Sequence, residues 1–265
     1  MTFSFTPQHA WEEHLRTVHE LLRRLRAAGL TARPSKCQLG CTQVEFLGHI
    51  VQAGKIQPML DKVEKVKNAT RPETKKQLRA FIGLASYYRR FIPNFASIAS
   101  PLTDKTKSRE PNKVQWSDRE EEAFKMLKDS LVQSPVLCLP DVQRKFIVRT
   151  DASSTGLGAV LLQEHDGEKH PVAYASRKLL TRERAYSTIE RECLALVWGI
   201  NKFQMYLEGK EFTLETDHQP LLYLNRTKCI NNRVMRWALA LQPFRFRIEA
   251  IRGSDNVGAD FLSRV

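Results

Sequence analysis

Residues 144–265 predict a mixed α/β domain, set behind a mostly helical region that carries a small β-hairpin. Three observations predict it. From residue 145 the chain turns to short β-rich runs, KFIVRTD, GAVLLQE and PVAYASR. A helical stretch over 183–206 separates these from two further runs, EFTLETD and FRFRIEAI. Upstream of residue 144, apolar residues recur mainly at steps of three and four, the spacing of helices with one buried face.

Taken in order, residues 11–28, WEEHLRTVHELLRRLRAA, predict an amphipathic helix with Trp11, Leu15, Val18, Leu22 and Leu25 on one face. Gly29 stands where a C-terminal cap belongs. VEFLGHIVQAGKIQP predicts one hairpin turning at Ala53-Gly54. A short helix is expected over 61–69, ending before Arg71-Pro72. Thr74 is a candidate N-cap for a helix with Leu78, Phe81, Ile82 and Leu84 on one side. Beyond it Arg79, Arg89 and Arg90 interleave with Phe81, Tyr87, Tyr88, Phe91 and Phe95. That mixture suits a nucleic-acid backbone and its bases, and equally a small helical core with a solvated basic edge. Residues 104–116 are polar, contain Pro111 and read as a linker. Ser117 then caps a helix over 118–131 whose first turn is acidic. In the last region Asp166-Gly167 signals a hairpin, and a short helix is expected at the C-terminus. The chain therefore divides at 1–60, 61–103, 104–143 and 144–265.

Composition narrows the class. The 265 residues are 42% hydrophobic, enough to build real cores, and carry a formal charge of +13. Residues 1–143 hold 23 Lys and Arg against 15 Asp and Glu, and residues 144–265 hold 19 against 14, so no single tail carries the charge. Broad positive charge favours a polyanion, most simply nucleic acid; a soluble protein that is merely basic is the plain alternative. No apolar run has transmembrane length, so no membrane partner is expected. MTFSFTPQHAWEEHL lacks a signal-peptide pattern, which leads to an intracellular expectation, cytoplasmic or nuclear. Cys37, Cys41, Cys138, Cys193 and Cys229 are odd in number and widely spaced, a poor disulfide framework. Cys37 and Cys41 have no second pair at zinc-finger spacing and read as buried or incidental thiols.

Four acids stand out near the ends of regular segments. Asp151 ends FIVRTD, Asp217 ends FTLETD, Glu192 lies in the long helical stretch, and Asp260 lies in GADFLSR. Glu192 is three residues from Ile189 and four from Leu196, on the edge of an apolar face that also holds Cys193, Val197, Ile200 and Phe203; Glu190 points elsewhere. A carboxylate beside a buried stripe needs a partner or a metal. Parallel, adjacent strands would put Asp151 and Asp217 on one rim, where open α/β sheets place their sites. Carboxylates gathered there need cations, and hard divalent ions take oxygen ligands. Strand-end caps and turn residues are the other reading of the same acids.

At these residues the chain resembles a known family. TDASSTGLGAVLLQ, HPVAYASRKL, ERECLALVWGI, FTLETDHQPLLYL and DNVGADFLSR closely resemble the RNase H domain of gypsy-type LTR retrotransposon reverse transcriptases. GLTARPSKCQLG, FLGHIV, KKQLRAFIGLASYYRRFIPNFASIASPL and AFKMLKDSL with PVLCLPD resemble the palm end, thumb and connection of the same polyproteins, in the same order. The resemblance implies an RNase H-like five-stranded mixed sheet with flanking helices. It implies metal-dependent cleavage of the RNA strand of an RNA–DNA hybrid. Asp151, Glu192, Asp217 and Asp260 match the catalytic acids, expected to hold two Mg2+ ions, with Mn2+ as a substitute. Phe46, Leu47, Gly48 and His49 look like the primer-grip hairpin. Arg177, Lys178, Arg233 and Arg236 are candidate phosphate contacts, weighed against plain solvated charges.

Two departures matter. The family's aromatic-x-Asp-Asp polymerase motif should precede the first helix, where MTFSFTPQ stands, and no Asp-Asp pair occurs in the chain. DNA synthesis is therefore not expected of this chain alone. Many RNase H enzymes also carry a loop histidine shortly before the last aspartate, an aid to product release. Here that position is Ala250, and no histidine follows His218. The competing expectations are a non-catalytic nucleic-acid-binding or scaffold subunit, and a fragment that completes a polymerase with a separate polymerase-bearing chain.

Overall fold

Two β-sheets organise the chain in the computed structural model, which describes residues 9–52, 54–133, 137–217 and 232–252 together with Asn256, Ala259 and Ser263. Helix α1 (His9–Ala27) comes first and ends at Gly29, whose φ of 68° only glycine adopts without strain. Its apolar face is little covered: Trp11, Leu15 and Leu22 stay exposed. The first sheet is antiparallel, in the order β1 (Gln43–Phe46), β2 (His49–Gln52), β3 (Lys55–Pro58), β4 (Leu137–Cys138). The single hairpin expected here is in fact two. The additional turn is Leu47-Gly48, within the four residues that resemble a primer-grip hairpin, with φ of 46° and 70°, so that Phe46 pairs with His49. A leucine in the left-handed region is not a turn signal, and a helix described below holds it there.

Helices α2 (Leu60–Lys67), α3 (Lys75–Tyr87), α4 (Phe95–Ile98), α5 (Ser100–Asp104) and α6 (Asp118–Val132) share one core. Thr74 and Gln77 form a capping box at the start of α3, and Ser117 with Glu120 does the same for α6. Of the interleaved aromatics, Phe81, Tyr88, Phe91 and Phe95 are buried in this core and Tyr87 is exposed. The core reading therefore accounts for four of the five. Residues 104–116, read as a linker, are tied back to the start of α3. Val114 is buried and its N–H donates to the Glu73 carbonyl at 2.8 Å, and Trp116 Nε1 donates to the Pro72 carbonyl at 2.9 Å.

The second sheet runs β7-β6-β5-β8-β9, with β5 (Phe146–Ala152), β6 (Gly156–His165), β7 (Glu168–Lys178), β8 (Glu211–Thr216) and β9 (Arg245–Ala250). β5 and β6 pair antiparallel, as do β6 and β7; β8 runs parallel to both β5 and β9. Asp166 and Gly167 make the expected tight turn, with φ of 53° and 84°. Helices α7 (Thr188–Lys202), α8 (Gln204–Leu207) and α9 (Asn232–Leu241) complete the described fold. α7 begins later than residue 183, because Ser187 and Glu190 form a capping box and Glu183 binds Arg177 instead. The two cores meet at β7. Tyr174 packs on the helical region, Arg89 donates to the Ser176 carbonyl at 2.8 Å, and Ser176 Oγ accepts from Ala96 N–H at 3.0 Å. No described helix is long and apolar enough to cross a membrane. The described cysteines, Cys37, Cys41, Cys138 and Cys193, are free thiols.

α7 lies close on the sheet at Gly199. A Cβ there would stand 2.9 Å from Thr150 Cγ2 and 3.1 Å from Ala159 Cβ. Both neighbours are short and buried, so neither can swing aside. Gly199→Leu is expected to lift the helix and cost about 1–3 kcal/mol in urea unfolding. At a helical glycine with open space the same change would stabilise by up to about 1 kcal/mol.

Candidate active site at the rim of the second sheet

β5 and β8 are parallel neighbours, paired from Phe146 with Phe212 to Arg149 with Glu215. Their C-terminal ends therefore open on one rim, and that rim carries Asp151 and Asp217. Asp151 is 8% exposed, and Asp217 is half-buried. α7 packs across β5 and β6 and brings Glu192 to the same place, 6% exposed. The Ala152 N–H donates to the Glu192 carboxylate, whereas Glu192 Oε2 is buried and accepts no hydrogen bond from the described residues. Burial first, and then the charges of Asp151 and Asp217, push the Glu192 carboxyl up to about 8.

A buried carboxylate oxygen with no donor, beside two further acids, is a donor set that a hard divalent cation fits. Among the described residues no group of three or more His, Cys, Asp or Glu side chains stands as a metal-ion site. Asp260 lies outside the described residues.

Asn256, not among the residues expected at the site, joins the rim. Its side chain is fully buried, and Nδ2 donates to Asp217 Oδ1 at 3.2 Å and to the Thr150 carbonyl at 3.4 Å. Nothing in DNVGAD marks it except its place four residues before Asp260. The loop after Asp151 is built around Ser153. Its Oγ accepts from the Gly156 N–H at 2.9 Å and bonds the Ser263 carbonyl, and its own carbonyl accepts from Arg191 at 2.9 Å.

The basic candidates already have partners. Arg177 makes a two-pronged pair with the buried Glu183, at 2.6 and 3.1 Å, and lies over Trp198. Lys178 reaches Asp104 at 3.4 Å and lines a cleft of about 450 Å³ with Asn94, Met126, Thr155 and Arg184; none of the three described acids lines it. Arg233 pairs with Glu190 at 2.6 Å and stacks 4.1 Å over Tyr186. Arg236 is exposed, with Nε bonded to the Asn232 carbonyl at 3.2 Å.

The 46–49 turn lies elsewhere, on the first sheet. Phe46 and Leu47 are exposed at its tip. Tyr87 Oη donates to the Leu47 carbonyl at 2.5 Å and Tyr88 Oη to the Gly48 carbonyl at 2.9 Å, which holds the left-handed turn. The His49 ring packs 5.5 Å from the rings of Tyr87, Tyr88 and Phe91. Burial, and then Arg90, lower its pKa and keep it neutral near pH 7.

The fold is that of an RNase H-like domain, and residues 141–244 match the family described as the RNase H-like domain found in reverse transcriptase. Along nearly its whole length the chain is related to the Pol polyproteins of gypsy-type retrotransposons. It is 41% identical over 256 residues to the retrovirus-related Pol polyprotein from transposon 297 of Drosophila melanogaster, covering 96% of this chain and 23% of that protein. It is 34% identical over 258 residues to the transposon Tf2-3 polyprotein of Schizosaccharomyces pombe, covering 96% and 19%. The chain thus spans about a fifth of the length of these relatives. A foamy viral protease-reverse transcriptase solved with an RNA/DNA hybrid shares the fold, with a TM-score of 0.74 and 23% identity over 91% of this chain and 33% of that one.

Proposed function

We propose that residues 144–265 cleave the RNA strand of RNA–DNA hybrids with divalent cations, two Mg2+ ions or Mn2+ in their place, held by Asp151, Glu192, Asp217 and Asp260. The observation that carries this reading is the buried Glu192 carboxylate, with one oxygen unpartnered among the described residues, beside Asp151 and Asp217. An uncompensated buried carboxylate is unfavourable, and a cation offsets that cost. When bound, the ions stabilise charge on the phosphate and lower the pKa of an attacking water. The chain's own residues prepare the place: the parallel ladder holds Asp151 and Asp217 on one rim, and the Ala152 N–H orients one oxygen of Glu192.

Hybrid recognition rests on 2′-hydroxyls, minor-groove shape and phosphates, with little base readout. The shared fold with a foamy viral enzyme solved on an RNA/DNA hybrid supports this substrate class. Of the basic candidates, Arg236 is the exposed one; Arg177, Lys178 and Arg233 would meet phosphates while keeping their carboxylate partners. The tip of the 46–49 turn offers Phe46 and Leu47 to the same duplex. DNA synthesis is not proposed for these residues.

The test is a labelled hybrid beside matched duplex DNA and duplex RNA, in Mg2+, Mn2+ and EDTA. Internal cuts are expected in the hybrid RNA alone and only with cation. Asp151→Asn is expected to lower the rate by at least about 100-fold, since even partners one shell further from a metal cost 10–100-fold. Hybrid binding with no cleavage in either ion would support the scaffold reading and overturn this one.

A further inference from the structure

We propose that Asn256 is a positioning residue: its amide sets the orientation of the Asp217 carboxylate for cation binding. This rests on the nuclease reading above. The parallel ladder between β5 and β8 makes its last pair at Arg149 and Glu215. Beyond that pair β5 runs on through Thr150 and Asp151, and β8 ends at Thr216 with Asp217 just past it. Asn256 takes over where the ladder stops. One side-chain nitrogen spans the gap, with the Thr150 carbonyl at 3.4 Å and Asp217 Oδ1 at 3.2 Å. A hydrogen bond to Oδ1 fixes the plane of the carboxylate, so its remaining lone pairs keep a set direction.

The chemistry of the amide fits this task. The side chain is fully buried, and its Oδ1 is buried with no hydrogen-bond partner among the described residues. A residue serving only to fill space would be apolar there, because an unsatisfied buried oxygen is unfavourable. What the amide provides in return is a neutral donor. An aspartate at 256 would remove the donors and add a negative charge to a rim that already holds Asp151, Glu192 and Asp217. Ser263 is tied nearby in the same manner, its carbonyl accepting from Ser153 Oγ. Asn256 and Ser263 bracket Asp260 in sequence. Each anchors on residues next to Asp151, since Thr150 precedes it and Ser153 follows two residues later.

Asn256→Ala is expected to weaken Mg2+ and Mn2+ binding, read by calorimetric titration, by about 10–100-fold. The Mg2+ concentration for half-maximal cleavage should rise in proportion, with the KM for hybrid little changed. In an Asp217→Asn background the same substitution should add nothing to the loss of cation affinity, because Asn256 acts through Asp217. A purely structural role would lower the melting temperature while leaving cation affinity intact in the folded protein, and that result overturns the proposal. Should Asn256→Ala fail to fold, the wild-type chain still decides. The Asn256 side-chain NH2 signals should move on Mg2+ titration, and should not move in Asp217→Asn; unmoved signals in the wild type overturn the proposal. A wild-type chain that binds no divalent cation overturns this proposal and the nuclease reading together. A wild type that binds and cleaves, with Asn256→Ala at unchanged cation affinity, overturns this one alone.

Discussion

Glu192→Gln is expected to remove hybrid cleavage and, in metal-free protein at alkaline pH, to make the fold more stable. The loss of rate should be at least about 100-fold, as for a cation ligand. The gain in stability follows from the environment of the carboxyl. Folded Glu192 titrates at about 8, against an ordinary value of 4.5. Between those two values the folded chain keeps a proton that the unfolded chain has released. The stabilising contribution of the protonated group is therefore whole below pH 4.5, declines as pH rises, and is gone above about 8. At about 1.4 kcal/mol per unit, the full span is up to about 5 kcal/mol. Glutamine keeps the shape, carries no charge, and should flatten the curve. Urea unfolding at pH 5 to 9 in EDTA checks both chains. Mg2+ should restore the wild type at the alkaline end, because the ionised carboxylate is the form that binds it. A wild type whose stability in EDTA rises through this window would contradict the buried acid cluster.

Much of this arrangement was legible in the residues, and what was not has a common cause. The five strands of the second sheet show as short β-rich runs ended by T-D, by Asp166-Gly167 or by a change to helical spacing. Glu192 showed itself because helical period alone puts it beside Ile189 and Leu196. The turn at Leu47-Gly48 shows in the family resemblance but not in local turn chemistry, because the hydroxyls that hold it belong to Tyr87 and Tyr88, each forty residues along the chain from its acceptor. Asn256 was hidden for the same reason, with partners 39 and 106 residues away. The start of α7 was misplaced because 183–186 is helix-compatible in composition. Two local choices prevail there: the Ser187–Glu190 box, and the capture of Glu183 by Arg177. Local pattern marked the elements and the acids near their ends. Pairings made at long range decided the turn and the amide behind the rim.

Glu215→Ala is expected to cost about 3–5 kcal/mol of stability, the range for removing one partner of a buried ion pair. Glu215 is 3% exposed and accepts from Arg149 Nε at 2.6 Å and Lys169 Nζ at 2.5 Å. Arg149 faces Glu215 as its register partner in the parallel ladder, and its own side chain is largely buried. Alanine would leave that guanidinium without its carboxylate and open a gap beneath it. Lys169 is more exposed, so Lys169→Ala should cost no more than about 1 kcal/mol. Replacing the pair together, Arg149→Met with Glu215→Leu, should recover most of the loss, because the penalty comes from parting a buried charge from its carboxylate. The consequence reaches the acids through register. Arg149 lies two residues before Asp151, and Glu215 two before Asp217, so this pair aligns the strand ends that bring both acids to one rim. Urea unfolding of the three variants separates the contributions. A Glu215→Ala loss under about 1 kcal/mol would show the pair to be effectively solvated. The alignment of the two strands would then have to come from the buried apolar residues Val148 and Leu214 beside it.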